Sequence, residues 1–335
     1  MWDVIAYVAL LVVAFYLLSK GSDWFVDGAV GIATKLRIPQ LVIGLTIVAM
    51  GTSAPEAAVS ISSAIAGVPD ITIGNVVGSN ILNVLIILGI SATITSLAVD
   101  KNTFVVDIPV LLFATVMLAV FGMDTTIELW ESVVMLVVFI AYITFLIIKA
   151  MKERKASLVN ETQQTNDSLT GSELNEEPTK QMSIFKSILF AVLGLGLIIA
   201  GSQGAVESAT FLAKKIGISD KLIGLTIVAL GTSLPELFTS VKAALKHNAD
   251  IAIGNIVGSN IFNILFIVSL TGLVKPIPFA SSFMIDTAIS FVAVVFLLFA
   301  SLKGKKLTRW AGITMLVGYA IYFVYLLIEN GIITL

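Results

Sequence analysis

The 335-residue sequence contains no cysteine and a single histidine, His247. Without cysteine there are no disulfides, no thiolate-bound metals and no thiol nucleophile. One imidazole alone does not make a histidine metal centre. Charge is scarce as well: Asp, Glu, Lys and Arg make up 13% of the chain, about half of the roughly 25% usual in soluble domains. The net charge of −2 and pI near 5.5 offer no basic surface for nucleic acid. No nucleophile–base set and no phosphate-binding loop is present, so the chain does not read as an enzyme. What it has in abundance is apolar residues, 57% of the total. They fall in runs of about 17 residues or more, the length that crosses a bilayer core as a helix. The chain therefore reads as an integral membrane protein in contact with lipid. The first apolar stretch lacks a basic leader and runs past signal-peptide length, so it reads as a first span.

Hydropathy marks ten spans, near 3–35, 41–65, 71–94, 104–122, 129–149, 184–214, 221–245, 251–272, 283–300 and 309–328. Positive charge sets their direction. With the N-terminus outside, 15 Lys and Arg fall on the inner side, among them Lys35, Arg37, Lys101, Lys242 and Lys246. Four fall outside: Lys214, Lys215, Lys221 and Lys275. Both termini are therefore expected to be extracellular, in a multi-pass protein of the cell membrane.

Residues 150–183 are rich in Glu, Thr, Asn, Gln and Ser and read as a flexible cytoplasmic linker. It separates a first five-helix repeat, 1–149, from a second, 184–335. Residues 43–87 and 223–267 align without a gap at an offset of 180, with more than half of the positions identical. Each half holds five spans. Five is odd, so the second half enters the membrane from the opposite face. The expected fold is all-α, ten transmembrane helices as two inverted five-helix repeats, the usual plan of a secondary transporter.

The repeated text centres on GTSAPE at 51–56 and GTSLPE at 231–236. Pro55 has no N–H, and its ring clashes with the carbonyl of Gly51, so the helix is expected to break there. Broken backbone at membrane depth is tolerated where it lines a cavity or is buried in protein. Thr52 and Ser53 add hydroxyls four and three residues before Glu56, toward one face. The same holds for Thr232, Ser233 and Glu236. A carboxylate at the centre of a span costs about 2.5–3.5 kcal/mol on insertion scales, and the chain carries two. Hydroxyl, carbonyl and carboxylate oxygens together suit a hard cation such as Na+ or Ca2+.

The next span supplies a second wall. IGNVVGSNILN, 73–83, places Asn75, Ser79 and Asn83 in a polar strip on an apolar helix, and Asn255, Ser259 and Asn263 repeat it. Gly74 and Gly78 form a GxxxG pattern suited to close helix approach.

These two segments resemble the alpha-repeats of the sodium/calcium exchangers, in the calcium/cation antiporter superfamily. The resemblance covers both repeats and the ten-span inverted plan, and excludes only the connecting loops and the linker. It implies antiport of Na+ against Ca2+ by alternating access, with no cofactor and a monomer sufficient. It also implies the site. Glu56 and Glu236 are its shared central carboxylates, and Thr52 and Thr232 contribute to the calcium site. Ser53 and Ser233 offer hydroxyls to sodium, as do the backbone carbonyls of Ala49 and Ala229. Ser79 with Asn83, and Ser259 with Asn263, complete it. Some members carry Asp where this chain has Asn263; here both halves have Asn, which leaves two formal negative charges and speaks against K+ coupling. A Ca2+/H+ antiporter of the same superfamily is the alternative, although those members resemble GN..E rather than GTS.PE. A passive cation channel fits inverted halves less well.

Other polar residues have plainer readings. Asn75, Asn80, Asn255 and Asn260 read as helix–helix packing residues. Asp70 and Asp250 read as helix N-caps, and Asp107 and Asp286 as interfacial. Asp27 and Glu207 read as solvated carboxylates. Lys20 is expected to snorkel or to pair with Asp23. Trp24, Trp130 and Trp310 fit the aromatic belt. Gly21, Gly201 and Gly204 are expected to permit motion of the first and sixth helices.

Overall fold

A computed structural model describes residues 2–69, 71–167, 182–217 and 229–329. The apolar runs are helices at the expected places: α1 (Trp2–Leu36), the bent pair α2 (Gln40–Thr52) and α3 (Ala54–Ile65), α4 (Ile71–Ile94), α5 (Thr103–Asp124) and α6 (Leu129–Asp167). After the linker come α7 (Ile184–Lys215), the short α8 (Ala229–Thr232), α9 (Leu234–Leu245), α10 (Ala249–Val274), α11 (Ser282–Leu302) and α12 (Arg309–Glu329). Among the described residues, eight helices are long and apolar enough to cross a membrane, and α2 with α3 make a ninth if the bent pair is one span. The expected span at 221–245 begins outside the described residues.

One boundary is corrected, and the mostly helical plan is refined. The boundary at 149 ends the apolar stretch but not the helix, because α6 continues to Asp167. Lys, Glu, Ala and Gln in 150–167 are good helix formers, so loss of hydropathy there does not stop the backbone. The chain is also not purely helical. Strand β1 (Leu97–Ala98) pairs antiparallel with β4 (Lys306–Leu307), and β2 (Thr126–Ile127) with β3 (Ile277–Pro278). Each ribbon joins one half of the chain to the other. The 180-residue offset relates β1 to β3 and β2 to β4, so the two clasps are copies of each other.

Burial sorts the helices. α10 is enclosed over nearly its whole length and α4 over most of it. Their polar residues therefore face protein, where such groups find partners. α1, α6, α7, α11 and α12 expose apolar residues such as Val12, Phe185, Val292 and Ile321. In water such a surface would be an aggregation hazard; against lipid tails it is the expected outer face.

α1 and α7 lie along each other. A Cβ added at Gly28 would fall 2.5 Å from the Ala191 nitrogen, and one at Gly194 would fall 2.5 Å from the Phe25 nitrogen. Only glycine permits this approach. Gly21 and Gly201 lie in the same seam, 2.8 Å by the same measure from the carbonyls of Gly194 and Ala14. They are packing positions inside unbroken helices. Tyr7 stacks on Phe211 and Trp24 packs on Phe190 farther along the seam.

The GxxxG pattern works differently in the two halves. Gly254 and Gly258 meet the backbone of α2, with built Cβ positions 3.1 Å from the Leu41 carbonyl and 2.6 Å from that of Leu45. Gly74 instead meets the Phe283 ring, and Gly78 has no neighbour within 4 Å among the described residues.

Several charged residues differ from their sequence reading. Asp107 is fully buried and accepts a hydrogen bond from Tyr142 at 3.0 Å; Asp286 accepts one from Tyr322 at 3.0 Å. Neither is a simple interfacial carboxylate, because a tyrosine one helix along shields each. Asn248, not Asp250, holds the N-cap position of α10. Asp70 lies outside the described residues. Asp23 pairs with Lys242 at 3.3 Å and Lys246 at 3.5 Å, and Asp27 pairs with Lys246 at 2.7 Å. Lys20 lies over the Trp24 ring instead. Trp130 and Trp310 are exposed, as a belt requires.

Candidate cation site

The break falls where proline predicts it. Ser53 leaves the helical region (φ −83°, ψ 9°), and α2 meets α3 at a 47° bend. Pro55 then sits in the first turn of α3, where its missing N–H removes no helical bond. Ser233 has nearly the same geometry (φ −90°, ψ 7°) ahead of Pro235. Glu56 and Glu236 thus stand in the first turns of α3 and α9, at helix N-termini that favour negative charge. Both are buried, at 1% and 0% exposure.

The hydroxyls cross between the repeats. Ser53 donates to Glu236 Oε1 at 2.7 Å, and Ser233 donates to Glu56 Oε1 at 3.2 Å. The expected clustering of each serine with its own glutamate is thereby corrected, since the bend turns each serine toward the opposite half. Thr52 Oγ1 lies 3.0 Å from Asn255 Oδ1 and 3.1 Å from the Val48 carbonyl. Ser259 reaches the Ala49 carbonyl at 3.3 Å and Glu236 Oε1 at 3.5 Å. Ser79, 4% exposed, makes no side-chain hydrogen bond among the described residues. Thr232 ends α8, the short helix that starts at Ala229. The Ala229 side chain lies outside the described residues.

The asparagines form a lattice that the sequence did not announce. Asn80 Nδ2 donates to the Asn260 carbonyl at 3.2 Å, and Asn260 Nδ2 donates to the Asn80 carbonyl at 3.1 Å. Their Oδ1 atoms then accept from Asn83 and Asn263: Asn83 Nδ2 to Asn260 Oδ1 is 2.9 Å, and Asn263 Nδ2 to Asn80 Oδ1 is 3.1 Å. Asn80 and Asn260 therefore tie α4 to α10 through both backbone and side-chain bonds. Asn75 and Asn255 hold the motif helices: Asn75 Nδ2 reaches the Glu56 carbonyl at 3.2 Å and Ser60 at 2.9 Å, and Asn255 Nδ2 reaches the Glu236 carbonyl at 3.5 Å and Ser240 at 2.8 Å. Asn83 and Asn263 each open a π-helical stretch, Asn83–Leu88 and Asn263–Ile267, a local widening that often marks functional positions. The only sequence signal for the lattice was the repeat of Asn80 at Asn260.

This wiring leaves four oxygens over. Among the described residues, Glu56 Oε2, Glu236 Oε2, Asn83 Oδ1 and Asn263 Oδ1 are buried with no hydrogen-bond partner. Buried polar atoms are nearly always satisfied, and leaving one unpaired costs about 1–3 kcal/mol, more when charged. All four are acceptors, two from each repeat and two of them carboxylate. The described residues hold no cluster of three or more Asp, Glu, His or Cys. The arrangement is thus a mixed carboxylate–amide–hydroxyl oxygen set, the chemistry of a hard cation.

The family model described as sodium/calcium exchanger protein matches twice, over residues 6–148 and 186–328. The second match starts and ends 180 residues after the first. The sodium/calcium exchanger MaX1 of Methanosarcina acetivorans is 36% identical, over 95% of this chain and 97% of that protein. The inner membrane protein YrbG of Escherichia coli is 31% identical, over 95% and 96%. Among solved structures, the sodium-calcium exchanger NCX_Mj soaked with Na+ and Sr2+ superposes with a TM-score of 0.80, at 33% identity over 96% of this chain and 99% of that one. Likeness at this level, spread across both halves of the chain, makes it a member of the sodium/calcium exchanger protein family.

Proposed function

We propose that this protein is a Na+/Ca2+ antiporter whose ions share one site between two inverted repeats. The reading includes ten transmembrane helices, with repeats 1–149 and 184–335 on either side of the segment 150–183. Both termini face outward from the cell membrane, as the distribution of Lys and Arg supports.

The observation that carries it is the set of four buried, unpartnered oxygens on Glu56, Glu236, Asn83 and Asn263. Two buried carboxylates without a basic neighbour in their hydrogen-bond network require compensation, because an unpaired buried ion costs on the order of several kcal/mol. One Ca2+ balances both charges. Na+ ions on the same oxygens, with Ser53, Ser233 and the Ala49 and Ala229 carbonyls, balance them in its place. Thr52, Thr232, Ser79 and Ser259 complete the oxygen set. Because both ions draw on the same two glutamates, each excludes the other, and that exclusion is the coupling.

The packing of α1 on α7 supports an alternating-access mechanism. α1 and α7 form one glycine-seamed unit against the helices that carry the ligands. Movement of that unit past the bends at Ser53 and Ser233 exposes the site to one face at a time. The test is transport by purified protein in liposomes, with Na+, K+ and pH gradients imposed separately. Ca2+ movement driven by the Na+ gradient alone supports the reading. Movement driven by the pH gradient without Na+, or without any counter-ion, rejects it.

A further inference from the structure

An inverted repeat gives every feature at one face a counterpart at the other. A cavity of about 610 Å³ runs from Ser282, Asp286, Tyr322 and Glu329 to Gly78 and Ser79. Its outer residues belong to the face assigned above as extracellular, and its inner end reaches the ion site.

Subtracting 180 turns Tyr322 into Tyr142, Ser79's counterpart is Ser259, and Glu329 becomes Lys149. A one-residue slip between α5 and α11 pairs Asp286 with Asp107. The two carboxylate–tyrosine bonds are both 3.0 Å. Their surroundings are not the same. Asp286 lines the cavity, whereas Asp107 is fully buried and its Oδ2 has no hydrogen-bond partner among the described residues. Ser79 lines the cavity without a side-chain bond among the described residues, whereas Ser259 is fully buried and bonded to Ala49 and Glu236. One route is open and its copy is shut.

We propose that Asp286 and Asp107 are side-specific entry residues. Asp286, held by Tyr322, draws cations into the site from the face that carries the cavity. Asp107, held by Tyr142, does the same from the opposite face once the equivalent route opens. The tyrosine fixes one carboxylate oxygen and leaves the other for a passing, partly hydrated cation. In a cleft with low-dielectric walls, such a charge focuses the field and raises the on-rate of an oppositely charged ion. The two mouths differ in a second way: Glu329 adds negative charge to the open one, while Lys149 stands at the same place in the closed one.

The inference rests on the exchange reading, and one experiment separates the two. Full-length protein is placed in vesicles of a single orientation, and the KM and kcat for Ca2+ are measured at each face in turn, at low and high ionic strength. Asp286→Asn is expected to raise KM about fivefold at the cavity face, with kcat and the opposite face unchanged, and salt is expected to shrink the difference. Asp107→Asn is expected to do so at the opposite face only. Should Asp107→Asn not fold, Lys149→Glu serves instead, with a lower KM expected at that face alone. A KM raised equally at both faces, a loss of kcat at constant KM, or no salt dependence overturns the inference. A parent protein without Na+-driven Ca2+ exchange overturns the functional reading instead.

Discussion

Ser53 donates its hydroxyl hydrogen to Glu236 at 2.7 Å, although 183 positions separate the two residues. The reciprocal bond from Ser233 to Glu56 is 3.2 Å. Neither repeat therefore builds a site by itself, because each carboxylate is set by a hydroxyl from the other half. Ser53→Ala is expected to weaken ion binding even though Glu236 is intact. Removing a hydrogen bond to a charged group costs about 1.5–3 kcal/mol, which corresponds to roughly tenfold or more in affinity. Isothermal titration of Ca2+ into the detergent-solubilised variant checks this.

Asn80 and Asn260 bind no free oxygen themselves, yet they spend the amide donors of Asn263 and Asn83. Asn260→Ala releases the Asn83 amide, which is then free to turn its NH2 group toward the cation. Loss of an outer partner of this kind typically costs about 10–100-fold in metal affinity. Ca2+ affinity is expected to fall by that range while the helical circular dichroism spectrum is retained. Parental affinity in Asn260→Ala would leave the lattice a packing device only.

Ions that bind the folded state stabilise it. Ca2+ at about 100 times its Kd is expected to add about 2.7 kcal/mol. In Glu56→Gln or Glu236→Gln the thermal shift with Ca2+ is expected to vanish. The ion-free variants are expected to be at least as stable as the ion-free parent, since a buried unpaired charge has been removed. Thermal unfolding with and without Ca2+ reads both effects.

The α1–α7 seam gives a paired test. Gly194→Leu drives a side chain into the Phe25 backbone, while Gly196 has no neighbour within 4 Å among the described residues. Overpacking typically costs about 1–3 kcal/mol, so Gly194→Leu is expected to lower Tm and Gly196→Leu to leave it near the parent value.

At the face opposite the cavity, Lys242 and Lys246 clamp α1 through Asp23 and Asp27. The 180-residue offset puts Ser62 and Ala66 at the equivalent places, so the clamp has no copy. These side chains are 25–45% exposed, and such pairs contribute about 0–1 kcal/mol each. Lys246→Gln is expected to leave Tm nearly unchanged but to alter transport turnover, because about 1 kcal/mol removed from one conformer shifts a two-state balance about fivefold. Stopped-flow Ca2+ flux distinguishes a turnover effect from an affinity effect.

Much of this was legible in the residues. Hydropathy located most of the described helices within a few positions, although α6 runs on to Asp167 and the span expected at 221–245 begins outside the described residues. Pro55 and Pro235 announced the bends, and Glu56 and Glu236 stood out because carboxylates are costly in a span. Other features were hidden for physical reasons. Which hydroxyl meets which glutamate depends on the bend at Ser53 and Ser233, and that direction is tertiary. Asn80 and Asn260 lie one step off the polar strip, and only the crossing of α4 with α10 turns them into partners. The two-residue ribbons are too short to carry an alternating pattern. Asp107 sits near a helix start, where an interfacial reading is natural until Tyr142 is found against it.

The central claim is that both glutamates serve one site shared by Na+ and Ca2+. Radiolabelled Ca2+ uptake into Na+-loaded proteoliposomes tests it most directly, comparing the parent with Glu56→Gln and Glu236→Gln. The account predicts uptake by the parent only with an outward Na+ gradient, and none above background in either variant. Undiminished Na+-driven uptake in either variant would contradict it.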